Sequence, residues 1–92
     1  MHFRYKKTIP LNYDRQGYLY FWLRRYKEMD KPQRETIRQV CREAGGAEYG
    51  PALLAFLTTD KGAAAICGSH YLSRSTLERL VVKAYLLLDQ RV

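Results

Sequence analysis

Apolar positions along this chain recur at helical spacing. After Asp14, the residues Leu19, Trp22, Leu23 and Tyr26 repeat at intervals of three and four, which predicts a first helix capped by Asp14 and running to about Met29. Tyr18, Tyr20 and Phe21 fall on its other faces, and the run YLYFW also has strand propensity. Asp30 is a second cap: Pro32 suits a first turn, and Gln33 stands three places on, the spacing of a capping box. The stripe Ile37, Val40, Cys41, Ala44 predicts a helix to about Ala44, stopped at Gly45-Gly46. A short third helix is expected from about Pro51 to Leu57, with Leu53, Leu54 and Leu57 inward. Asp60 and Gly68 bracket the next, in which Ala63, Ala64, Ala65 and Ile66 are small enough for close packing on another helix. Residues 69–73 read as a turn.

The last helix begins near Ser73 or Ser75. Ser75 is the more attractive cap because Glu78 completes the box. Leu77, Leu80, Val81, Ala84 and Leu88 line its inner face. Val82, Tyr85, Leu86 and Leu87 make its far end apolar nearly all round, as in a helix end buried on more than one side. A second subunit would supply that side, so these four are the candidate interface of a homodimer. The fold class is therefore all-α: a small four- or five-helix domain over residues 13–92 behind a short N-terminal arm, residues 1–12. In the arm, Ile9-Pro10 argues against helix. Alternation of Phe3, Tyr5 and Lys7 fits a short edge strand, and a loose terminus is the plainer reading.

A chain of 92 residues with 47% hydrophobic content suits one small folded domain. It shows no signal peptide and no apolar run long enough to span a bilayer, so a cytoplasmic protein without a membrane partner is the default. The net charge of +7 changes the picture more. Residues 1–42 hold eleven Lys/Arg against four Asp/Glu, whereas residues 43–92 hold five of each. The whole excess lies in the first half, and such a field attracts phosphate backbones or an acidic protein. Lys31, Arg34, Arg38 and Arg42 recur on one face of the second helix as phosphate-contact candidates, with an ordinary solvated face as the alternative.

Residues 60–88 place a short helix, a turn and a longer helix in succession. Ala64 is a small residue where two helices would cross, Gly68 opens the turn, Leu72 precedes the polar start SRST, and Leu77 and Leu80 follow three apart. In these respects the stretch resembles the broad helix-turn-helix class of DNA-binding modules, although SHY at residues 69–71 lengthens the turn. The resemblance implies sequence-specific binding of duplex DNA, in a small transcriptional regulator or a mobile-element accessory factor. It implies Arg74, Thr76 and Arg79 as base contacts and Lys83 as a phosphate contact, with Ser75 and Glu78 serving as the cap. A small helical module for protein–protein contact, using the tyrosine-rich first helix and the apolar last helix, is the other reading.

Chemistry is not indicated. Cys67 and His70 form a C-x2-H pair, and Cys41 and His2 would have to complete a zinc site that usually uses two close pairs. The two cysteines read as core residues. Ser69-His70 is not a catalytic dyad by adjacency, and REAGGAEYG lacks the lysine and hydroxyl of a phosphate loop. No catalytic residue, metal or cofactor is expected, and the protein is not read as an enzyme.

Overall fold

The computed structural model describes residues 3–92. They form four helices and no strand: α1 (Tyr13–Arg24), α2 (Lys31–Thr58), α3 (Ala63–His70) and α4 (Arg74–Arg91), with a 3₁₀ turn at Tyr26–Glu28. No helix among them is long and apolar enough to cross a membrane.

The first helix is capped by Asn12, not Asp14. The Asn12 side-chain oxygen accepts from the Arg15 N–H at 2.8 Å, and Asp14 sits inside the first turn, where a carboxylate complements the helix dipole. The helix ends at Arg24 rather than reaching Met29, and the 3₁₀ turn then delivers Met29 to the core as a buried residue. At Asp30 the expected capping box forms, with Gln33 N–H donating to the Asp30 carboxylate and the Gln33 side chain accepting from the Asp30 N–H.

Helix α2 is two limbs joined by a sharp corner. Gly46 has φ 68° and ψ −173°, so residues 31–45 and 47–58 run in different directions. Open space surrounds the Gly46 Cα, so backbone conformation, not crowding, requires glycine there. Crowding governs its neighbours instead: a Cβ on Gly45 would lie 3.0 Å from the Gly50 nitrogen, and one on Gly50 would lie 3.5 Å from the Cys41 carbonyl oxygen. The second limb starts earlier than Pro51, which lies within it and cannot donate a helical hydrogen bond to the carbonyl of exposed Ala47.

The core is contiguous. Leu19 and Leu23 of α1, Ile37, Val40, Cys41, Leu53 and Leu57 of α2, Ile66 of α3, and Leu77, Val81, Ala84 and Leu88 of α4 are buried together. Two polar ties close the far end of α4. Arg91 makes a two-pronged pair with Glu43, both bonds 2.7 Å, and Arg15 reaches Asp89 at 2.6 Å and the Val92 carbonyl at 2.6 Å. Tyr85, expected at a subunit interface, is instead buried in this core. Val82 and Leu87 are half-buried against it, and Leu86 is half-buried. Helices α2, α3 and α1 all pack on α4 and supply much of the second apolar side that the periodicity demanded.

Candidate nucleic-acid interface

The connection between α3 and α4 is shorter than the sequence suggested. Ser69 and His70 extend α3, leaving Tyr71, Leu72 and Ser73 as a three-residue link. Tyr71 adopts the left-handed conformation (φ 56°, ψ 48°), and its N–H and that of Leu72 both turn back to the Cys67 carbonyl. Buried Leu72 anchors the turn. Gly68, expected to open the turn, lies exposed within α3, and Ala64 is exposed rather than at a helix crossing. Ile66 fills the crossing, with Ala63 and Cys67 half-buried beside it. The periodicity of so short and small-sided a segment did not reveal which alanine faced inward.

The cap of α4 is Ser73 rather than Ser75. Its hydroxyl accepts from the Thr76 N–H at 3.1 Å and donates to the Thr76 hydroxyl at 2.9 Å. Ser75 therefore lies inside the first turn, and Glu78 is too far along the helix to close a box with Ser73. It pairs instead with Arg74 at 3.7 Å, an i,i+4 contact along the helix surface. Arg79 reaches the same Thr76 hydroxyl at 3.4 Å. Thr76 is thus half-buried and held in a local network, while Arg74, Arg79 and Lys83 are exposed. Arg79 and Lys83 lie opposite the buried stripe Leu77–Val81–Ala84–Leu88; Arg74 lies to one side of it, facing the arm.

The arm brings charge to that side. Gln16, three residues before Leu19 on the inner stripe of α1, is the one buried polar side chain among the described residues. Its Nε2 donates to the carbonyl oxygens of Lys6 (2.9 Å), Ile9 (3.1 Å) and Leu11 (3.0 Å), and its Oε1 accepts from the Lys6 N–H at 3.0 Å. With Ile9 also buried, residues 3–12 are docked on the domain rather than loose, and they form no strand. Arg4, Lys6 and Thr8 thereby line one cleft of about 510 Å³ with Arg74, Leu77, Glu78 and Phe56. Arg4, Lys6 and Lys7 have no carboxylate partner among the described residues, whereas Arg15, Arg24, Arg25, Arg38, Arg42, Arg74 and Arg91 all have one.

The basic stripe of α2 is arranged differently. Glu35 accepts from Arg38 and Arg42, each at 3.2 Å, and the two guanidiniums hold its carboxyl below the usual carboxylate range. Arg34 folds back onto the loop before α2: it donates to the Lys27 carbonyl at 2.9 Å and lies over the Tyr26 ring, with its Nε buried and unpartnered. Lys31 is exposed. Arg38 and Arg42 line a separate apolar cleft of about 270 Å³ at the α2 corner, away from the cleft that holds Arg74. The stripe and the start of α4 do not share a cleft. The arm takes the place beside α4 that the charge pattern alone gives to the stripe. Two signals pointed there: RYKK is a cationic run without an acid, and Gln16 falls on an apolar face.

No group of three or more His, Cys, Asp or Glu among the described residues could hold a metal. Cys41 is buried, its thiol pushed up to about 12 by desolvation, and Cys67 is half-buried; both are unpaired thiols, and His2 lies outside the described residues. No protein-family model matches this chain, and neither does any curated protein or solved structure.

Proposed function

We propose that the protein binds duplex DNA at the start of α4, with the docked arm beside it. The observation that carries this reading is the convergence of Arg4, Lys6 and Arg74 on one cleft, with Lys7 next in the chain. Fixed cations of this kind release counterions from a phosphate backbone on binding. Their docking by Gln16 lowers the ordering cost of the complex, because the arm is already in place. The base-reading candidates are Arg74 and Arg79. Each is long enough to reach the acceptors of guanine from the exposed end of the helix, and Lys83, one turn further on, would hold a phosphate. Arg38 and Arg42 become secondary contacts, since both are hydrogen-bonded to Glu35 at 3.2 Å, a closer tie than the 3.7 Å pair of Arg74 with Glu78. A single copy is the binding unit, because the apolar residues expected to make a dimer are largely covered within the chain.

A fluorescence-anisotropy titration of duplex DNA at several salt concentrations tests it. The wild-type protein should bind with an affinity that falls steeply with salt, and Arg4→Gln with Lys6→Gln should reduce the slope by about 0.9 for each phosphate that is no longer neutralised. Absence of duplex binding at low salt overturns the reading. Competition by polyglutamate as effective as that by unlabelled DNA would assign the cations to an acidic protein instead.

A further inference from the structure

A second surface adjoins that cleft. The rings of Phe3, Tyr5, Tyr13, Tyr20 and Phe21 form a continuous cluster, with neighbouring centroids 5.1 to 6.3 Å apart. Phe3 lies across α1 at Gly17, where a Cβ would stand 3.4 Å from its ring. The absence of a side chain at Gly17 lets the arm lie close and joins the arm's rings to those of the helix. Neighbouring rings are tilted by 38° to 89°, so none lies flat on the next; Arg24 lies over the Tyr20 ring at 4.1 Å, and the rings open to solvent are those of Tyr5, Tyr13 and Phe21. Tyr5 is 44% exposed, Phe21 48% and Tyr13 62%.

We propose that this cluster is a stacking platform for unpaired bases of a nucleic acid whose duplex part occupies the neighbouring cleft. The inference rests on the nucleic-acid reading above and narrows its substrate to a duplex next to single strand. Three observations select this occupant. First, every exposed large hydrophobic residue among those described is an aromatic; no Leu, Ile, Val, Met or Trp is in that class. A lipid surface would be met with aliphatic chains as well, whereas bases stack on exposed rings. Second, two of the rings alternate in sequence with three cations that have no carboxylate partner among the described residues: Phe3, Arg4, Tyr5, Lys6, Lys7. An occupant that is both anionic and planar fits this arrangement, as a strand of nucleotides is. Third, Phe3 and Tyr20 share a cleft with Arg4, Lys6 and Arg74, so platform and duplex cleft are continuous.

The test compares four probes: blunt duplex, the same duplex with a short single-stranded overhang, the single strand alone, and vesicles containing anionic lipid. The proteins are the full chain and the Tyr13→Ser, Phe21→Ser double variant, with circular dichroism as the folding control. Wild type should bind the overhang duplex about tenfold or more tightly than blunt duplex, the scale of one stacked base. The variant should lose that margin while its blunt-duplex affinity stays within about twofold. Tyr13→Phe, which keeps the ring, should retain the margin. Equal binding of blunt and overhang duplex by wild type overturns the platform and leaves the duplex reading intact. Single strand bound as tightly as the overhang duplex, and lost in the variant, keeps the platform but overturns the duplex reading. Vesicle binding abolished by the same variant, without an overhang preference, overturns the platform in favour of a lipid surface.

Discussion

Gln16 holds Ile9 by a 3.1 Å hydrogen bond from its Nε2 to the Ile9 carbonyl oxygen, inside the apolar core. This contact joins the arm to α1 and sets where Arg4 and Lys6 stand. Gln16→Leu keeps the volume and removes the partner of Lys6, Ile9 and Leu11 backbone groups. It should lower stability by about 1–3 kcal/mol. It should also speed tryptic cleavage within residues 4–7 and weaken duplex binding at constant net charge. Denaturant midpoints, a proteolysis time course and an anisotropy titration read the three effects, and an arm as protected as in wild type would show that Ile9 alone docks it.

Tyr71 is the described non-glycine residue with positive φ, and its side chain is 91% exposed. Glycine adopts that conformation without the Cβ penalty, and replacement sacrifices little packing. Tyr71→Gly is therefore expected to raise stability by about 0.5–1 kcal/mol, net of the greater chain entropy of glycine. A lower melting temperature would reveal a contact of the Tyr71 ring that its exposure does not suggest.

Arg79 should govern sequence preference rather than general affinity. It lies on the outward face of α4 and donates to the Thr76 hydroxyl at 3.4 Å. Arg79→Ala is expected to leave the fold intact, keep most random-duplex binding, and lose about 1–3 kcal/mol of discrimination at one base pair. Competition across single-base variants of a selected site measures it. If both Arg79→Ala and Arg74→Ala leave every preference unchanged, α4 is not the reading element.

Alkaline pH should unfold the protein earlier than its net charge alone would. Burial pushes the Cys41 thiol up to about 12 from 9.0 and the Tyr85 phenol up to about 12 from 10.0, so both are neutral in the fold and ionise more readily once unfolded. Their contribution to stability is complete below the unfolded values and is lost as pH rises through the folded ones. The window thus opens near pH 9 and closes near pH 12. Urea midpoints across it should fall less steeply for Cys41→Ala with Tyr85→Phe than for wild type, and parallel curves would exclude these two groups as the cause.

Local pattern determined much of this protein. The capping box at Asp30 with Gln33, the break at Gly45-Gly46, and the inward set Leu77, Val81, Ala84 and Leu88 all depend on interactions within a few turns, which spacing alone reports. Caps with competing candidates were less legible: Asn12 beside Asp14, and Ser73 beside Ser75, differ only in where the backbone leaves the extended region. Tertiary structure alone decided the rest. The corner at Gly46 turns the second limb of α2 in a different direction from the first, and α2, α3 and α1 all pack on α4, so Tyr85 is covered by its own chain. Glu35 removes part of the α2 stripe's charge, and Gln16 brings Arg4 and Lys6 to Arg74 across more than sixty positions of sequence. Such neighbours are set by packing between distant segments, which leaves no period in the chain to read.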